Sequence, residues 1–202
     1  MQLFYSPASP FVRKVMVFLH ETGQLADVAL RPVTTTALNS DAGLMAANPL
    51  AKLPTLLRAD GPAMYDSRVI CRFLDDRAKA GLYPAAPRLW ETLTLEATGD
   101  AIMESALGIV YERRLRPEEL HFQPLLDAYW AKVDRAIEVL NTRWMSHLHG
   151  PLDAGQIAVA CALGYVDFRL PEKDWRAGRD ALAGWYASFA ARPAMAETAP
   201  KG

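Results

Sequence analysis

Apolar residues change their spacing several times along this chain, and each change marks a new element. Gln2 to Tyr5 is a short β-prone run stopped by Ser6-Pro7, which predicts a strand. After Ser9-Pro10 the apolar positions fall at Phe11, Val12, Val15, Met16, Phe18 and Leu19, one face of a helix, with Gly23 just past the end as a stop. A helix from about Pro10 to Thr22 follows. Asp27 to Val33 alternates as a second strand, whereas Thr34 to Asn48 is small and polar and reads as loop with a helical turn. Two apolar runs, Pro54 to Ala59 and Ala63 to Tyr65, flank Asp60-Gly61, a turn dipeptide that predicts an antiparallel hairpin. Asp66-Ser67 then opens a helical face at Val69, Ile70, Phe73 and Leu74.

Strand signals stop there. Residues 78–87 carry Ala-Gly-Leu-Tyr-Pro and a further proline, composition that ends a helix and bridges to something else. The pattern therefore divides into an α/β domain at 1–77, a linker at 78–87 and an all-helical domain at 88–202. Helices are predicted roughly at Arg88 to Arg114, Phe122 to Leu148, Asp153 to Phe168 and Ala177 to Ala191. The third of these has a legible start. Asp153 can accept from the Gln156 backbone N–H while the Gln156 side chain reaches back, with Leu152 and Ile157 at the staple positions. Its body is apolar all round, so it should run through the centre of the helical domain.

Composition narrows the function. With 51% apolar residues among 202, the chain can bury one large core or two small ones. A net charge of -1, from 22 basic and 23 acidic side chains, leaves no cationic excess to neutralise a row of phosphates, so no nucleic-acid partner is expected. No stretch approaches the roughly 18 apolar residues that cross a bilayer, and MQLFYSPASP lacks a basic then apolar leader; a cytoplasmic chain with no membrane partner is expected. Cys71 and Cys161 lie in apolar helical patterns and read as buried reduced thiols. His20, His121, His147 and His149 have no metal-ligand spacing with Cys, Asp or Glu, so no metal is expected and all four read as ordinary helix residues.

Three short segments carry chemistry. Ser9-Pro10 is a helix cap and first turn, and a helix N-terminus collects unpaired N–H groups and about half a positive charge. A hydroxyl held there faces a place where an anion is stabilised; were that anion a thiolate, a donated hydrogen bond would lower the thiol pKa. A nucleophilic Ser9 would need a base, and the chain has no G-x-S-x-G turn and no evident His partner. Pro54 stands at the mouth of a strand after Asn48-Pro49-Leu50-Ala51-Lys52, where it would turn the Leu53 main chain outward to pair with a peptide-like ligand. Asp66-Ser67 combines a hydroxyl with the amides of a helix start, a seat for a carboxylate.

Together, SPASPFVRKV, NPLAKLPTL and YDSRVI, in that order, resemble the glutathione transferase superfamily, and more narrowly its small bacterial members with a Ser-Pro-Phe-Val-Arg-Lys helix start. The resemblance extends over the whole chain. It implies a thioredoxin-like N-terminal domain followed by an all-α domain, with glutathione as co-substrate. It further implies that Ser9 donates to the glutathione thiolate, that Leu53, before a cis Pro54, pairs with the cysteinyl part, and that Asp66 and Ser67 hold the γ-glutamyl end. Lys52 would reach the glycine carboxylate, and Asp100 would meet the γ-glutamyl amine of the partner subunit in a homodimer. The second substrate, a small apolar electrophile, would sit between the domains against Met103, Leu107 and Tyr111. The implied activity is glutathione transfer of the detoxifying kind; the alternative is a glutathione-binding or protein-interaction module without turnover. A thiol-disulfide reductase would need Cys where Ser9 stands. In two respects the chain departs from the family pattern: Asp153-Ala-Gly-Gln156 replaces Ser/Thr-x-x-Asp, and Tyr5 and Ser6 lie near enough in sequence to compete with Ser9.

Overall fold

The computed structural model describes residues 1–201. One unit comprises Met1–Pro84 together with the chain from Pro193 onward, and the other comprises Ala85–Arg192. The C-terminal residues, assigned above to the helical domain, thus return to the α/β unit, where the buried Arg13 guanidinium donates to Met195 O at 3.0 Å.

The α/β unit runs β1 (Gln2–Tyr5), α1 (Pro10–Glu21), β2 (Ala29–Pro32), α2 (Ala42–Ala47), β3 (Thr55–Arg58), β4 (Gly61–Met64) and α3 (Ser67–Ala78). Strand order is β2-β1-β3-β4. β1 lies parallel to β2 and antiparallel to β3, with Phe4 opposite Thr55 and Leu3 opposite Leu56, and β4 lies antiparallel to β3. The apolar face of α1 (Val12, Val15, Phe18, Leu19) and that of α3 (Ile70, Cys71, Leu74) are buried together with Leu3, Phe4 and Leu56. Buried Gln24 ties the two helices, its amide donating to Leu74 O at 2.8 Å. Gly23 turns the chain out of α1 at φ +66°, a backbone state that costs glycine nothing.

In the helical unit the elements are α4 (Arg88–Leu115), α5 (Gln123–Arg143), α6 (Met145–Leu148), α7 (Ala154–Arg169) and α8 (Asp180–Ala190), and the short α9 (Pro193–Glu197) follows in the first unit. The stretch predicted as one helix from Phe122 to Leu148 is two, because Trp144 leaves helical geometry at φ -110°, ψ 1°. As expected from its sequence, α7 is buried on every side from Ala154 to Val166. It reaches α4 through two glycines. A Cβ on Gly99 would stand 2.6 Å from the Ala158 carbonyl carbon, and one on Gly155 would stand 2.6 Å from Leu95 Cβ. Neither contact is to a flexible chain end, so Gly99→Ala is expected to force the helices apart and cost about 1–3 kcal/mol. A urea titration measures this as a lowered midpoint.

Candidate functional site

The topology brings the three chemical segments to one edge of the sheet. β1 and β4 both run antiparallel to β3, so the end of β1, the start of β3 and the end of β4 lie side by side. Ser9 follows β1, Leu53-Pro54 precedes β3, and Asp66-Ser67 follows β4. Neighbouring strands are about 4.8 Å apart, so this edge spans roughly 10 Å, the length of an extended peptide of three residues.

Ser9 caps α1 with extended backbone (φ -84°, ψ 122°), and its Oγ accepts from Val12 N at 3.3 Å. That bond uses an oxygen lone pair, leaving the hydroxyl hydrogen to be donated elsewhere. Asp66 caps α3, its carboxylate accepting from Arg68 N at 3.0 Å, with Ser67 buried at the first helical position. The Asp66 carboxylate already sits on the α3 amides, whereas α1 has no acidic residue at its cap or in its first turn, so the positive dipole end of this 12-residue helix meets the edge uncancelled. An anionic or carboxylate-rich ligand is the natural occupant.

Leu53 precedes a cis peptide bond to Pro54 and lies outside the strand ladder, which begins at Thr55. Lys52 is exposed, and its main-chain carbonyl is fixed from behind. Fully buried Asn48 donates to Lys52 O at 3.1 Å and to Thr55 Oγ1 at 2.9 Å, while its own Oδ1 accepts from Leu50 N at 3.0 Å. Thr55 Oγ1 also donates to Lys52 O at 2.9 Å. Asn48 thus shapes the whole 49–53 turn, a role that sequence reasoning missed. Its only signal was an Asn-Pro dipeptide inside a stretch read as loop. Asn48→Ala strips three bonds from a buried position, so a loss of about 2 kcal/mol in stability is expected. A urea titration reads it as a lowered midpoint.

Tyr5 and Ser6, the competitors of Ser9, line a cleft of about 110 Å³ with Arg13, Met16, His20 and Thr198, and Ser9 does not line it.

In the helical unit the predicted residues separate. Asp100 is 1% exposed and Met103 is fully buried, whereas Leu107 is half-buried and Tyr111 is 36% exposed. The burial of Asp100 counts against a carboxylate offered to a second subunit, and Met103 is a core residue. The buried Asp153 caps α7 by accepting from Gln156 N at 3.1 Å, as expected. The return bond takes a different form: Gln156 Nε2 lies 3.1–3.2 Å from the carbonyl oxygens of His147, Gly150 and Pro151, tying down the preceding loop. His147 is also not the ordinary residue expected, since its Nε2 stands 2.8 Å from Asp153 Oδ2.

The chain is similar to known proteins over its whole length. Residues 8–77 match the glutathione S-transferase N-terminal domain, and residues 123–188 match the glutathione S-transferase C-terminal domain. The chain is 43% identical to a glutathione transferase family member from Pseudomonas fluorescens Pf-5 whose crystal structure contains bound glutathione; the match covers 100% of this chain and 99% of that one at a TM-score of 0.97. A structure from the same strain with bound S-(propanoic acid)-glutathione is 42% identical over 100% of both chains, with a TM-score of 0.93. The uncharacterised GST-like protein YibF of Escherichia coli K12 is 29% identical over 204 residues, covering 99% of this chain and 98% of that protein. The chain belongs to the glutathione S-transferase family.

Proposed function

We propose that this chain is a working glutathione transferase in which Ser9 stabilises the glutathione thiolate for attack on a small electrophile. The observation that carries this reading is the convergence of Ser9, Leu53-Pro54 and Asp66-Ser67 on one sheet edge about as wide as a tripeptide. Glutathione bound to the Pseudomonas relative supports the same ligand here. In this reading the Leu53 main chain pairs with the cysteinyl part, Asp66 and Ser67 take the γ-glutamyl end, and exposed Lys52 reaches the glycine carboxylate. The α1 N-terminus favours the thiolate, and the α3 amides that Asp66 leaves open favour the ligand's carboxylate.

Catalysis then consists of raising the thiolate fraction and holding the sulfur beside its target, with no covalent enzyme intermediate. Asp100 is left out of the ligand contacts on account of its burial. The working form is a homodimer in the cytoplasm; exposed Val69 on α3 and Trp90 on α4 support burial against a second copy, and the reduced Cys71 and Cys161 support a reducing compartment. A panel of electrophiles assayed with glutathione, beside calorimetry of glutathione alone, tests the reading. Binding with conjugation supports it. Binding without any conjugation would instead favour a module that carries glutathione and does no chemistry.

A further inference from the structure

Val12, Met16 and His20 follow one another at successive turns of α1, and with Arg13, Ser6 and Leu25 they wall the cleft of about 110 Å³ beside the C-terminal residues, all within the α/β unit. Arg13 is its unusual member. It is 7% exposed, and its guanidinium donates to Met195 O at 3.0 Å, yet its buried Nε–H has no acceptor among the described residues. A charged donor held out of water without an acceptor is costly, so an anion that reaches this guanidinium gains more than it would at an exposed arginine. The acid of the cleft is occupied elsewhere: exposed Glu197 stands 3.6 Å from His20 Nδ1. Thr198 is engaged as well, its hydroxyl donating to Ala194 O at 2.6 Å. Val12 and Met16 supply buried apolar wall, and Leu25 a partly exposed one. An apolar cavity of about 150 Å³ takes benzene, so a cleft of about 110 Å³ suits roughly four or five non-hydrogen atoms.

We propose that this cleft is a second ligand site, separate from the sheet edge, and that it takes a short-chain monocarboxylate, with the carboxylate on Arg13 and Ser6 and the hydrocarbon end against Val12, Met16 and Leu25. Guanidinium N–H groups form short, charge-assisted bonds to a carboxylate, and the Ser6 hydroxyl can donate beside them. The apolar wall decides between anions of like charge. Inorganic phosphate would answer the guanidinium but leave Val12 and Met16 facing a polar, strongly hydrated group, whereas the acid covers them with its alkyl end. Ser9 does not line the cleft, so the site stands whether or not the protein turns glutathione over.

The test titrates the protein with propionate, its neutral isostere propionamide and inorganic phosphate at constant ionic strength, following the backbone amides by NMR. Wild type should bind propionate about tenfold or more tighter than propionamide, as a charged hydrogen bond warrants, and tighter than phosphate. Arg13→Gln should bind acid and amide alike. Because Arg13 also holds Met195, Leu25→Trp serves as a second variant: it places bulk in the cleft from a partly exposed position and should weaken propionate about tenfold with the fold intact. Equal binding of acid and amide by wild type, or a preference for the acid that survives in either folded variant, overturns the site. Phosphate bound as tightly as propionate overturns the monocarboxylate assignment.

Discussion

Replacing Ser9 by alanine is expected to slow conjugation at neutral pH by about 10- to 100-fold, while glutathione still binds. A hydrogen bond to a charged acceptor contributes about 1.5–3 kcal/mol, which corresponds to a rise of one to two units in the pKa of the bound thiol. The rising limb of the pH–rate profile should therefore move to higher pH, because the thiolate fraction now needs a more alkaline solution. Alanine also removes the cap bond to Val12 N, worth roughly 1 kcal/mol of stability. Ser9→Thr separates the effects, since it keeps both the cap acceptor and the donated hydrogen and should retain most of the activity. A pH–rate limb that stays in place in Ser9→Ala means the donor is some other group. Tyr5 and Ser6 would then be the next variants to make.

Asp153→Ala should be the most destabilising single change in the helical unit, at about 3 kcal/mol or more. The carboxylate is 1% exposed and accepts from Gln156 N at 3.1 Å, His147 Nε2 at 2.8 Å, Thr92 Oγ1 at 3.0 Å and the Arg88 guanidinium at 3.1 Å. Truncation strands donors from α4, α6 and α7 at once. Asp153→Asn keeps an oxygen for the Gln156 amide but gives up the charge, so its loss should be intermediate. Urea unfolding orders the three proteins as wild type, Asn and Ala. Glutathione affinity measured on whatever fraction remains folded should not follow that order, because Asp153 contributes nothing to the sheet edge.

What the sequence revealed about this molecule was local in origin. Ser9-Pro10, Asp60-Gly61, Asp66-Ser67 and Asp153 each specify backbone geometry within a few residues, so caps and turns could be read directly. The apolar girth of α7 likewise follows from its own residues. The misses share a different cause, which is dependence on partners distant in the chain or on an exact side-chain direction. Asn48 looks like a loop residue until the turn it braces is in view. Gln156 was expected to close a reciprocal cap, yet its amide finds three loop carbonyls nearer to hand. His147 gains its acid partner only because α6 sets its ring against the cap of α7. Helical spacing put Met103, Leu107 and Tyr111 on one stripe, but spacing carries no information about what covers each of them, and burial grades them from core to surface. Residues from Pro193 onward read as a continuation of the helical domain because nothing in their composition signals that Met195 is claimed by Arg13, far back in the chain.

The most direct test of the glutathione site is a crystal structure of this protein grown with saturating glutathione. The sulfur should lie within hydrogen-bond reach of Ser9 Oγ, roughly 3.3 Å or less for a charged acceptor, with the cysteinyl main chain against Leu53 and the γ-glutamyl carboxylate at the Asp66-Ser67 helix start. Glutathione bound elsewhere, or its sulfur out of reach of Ser9 while the rest of the tripeptide lies along the sheet edge, would contradict the assignment.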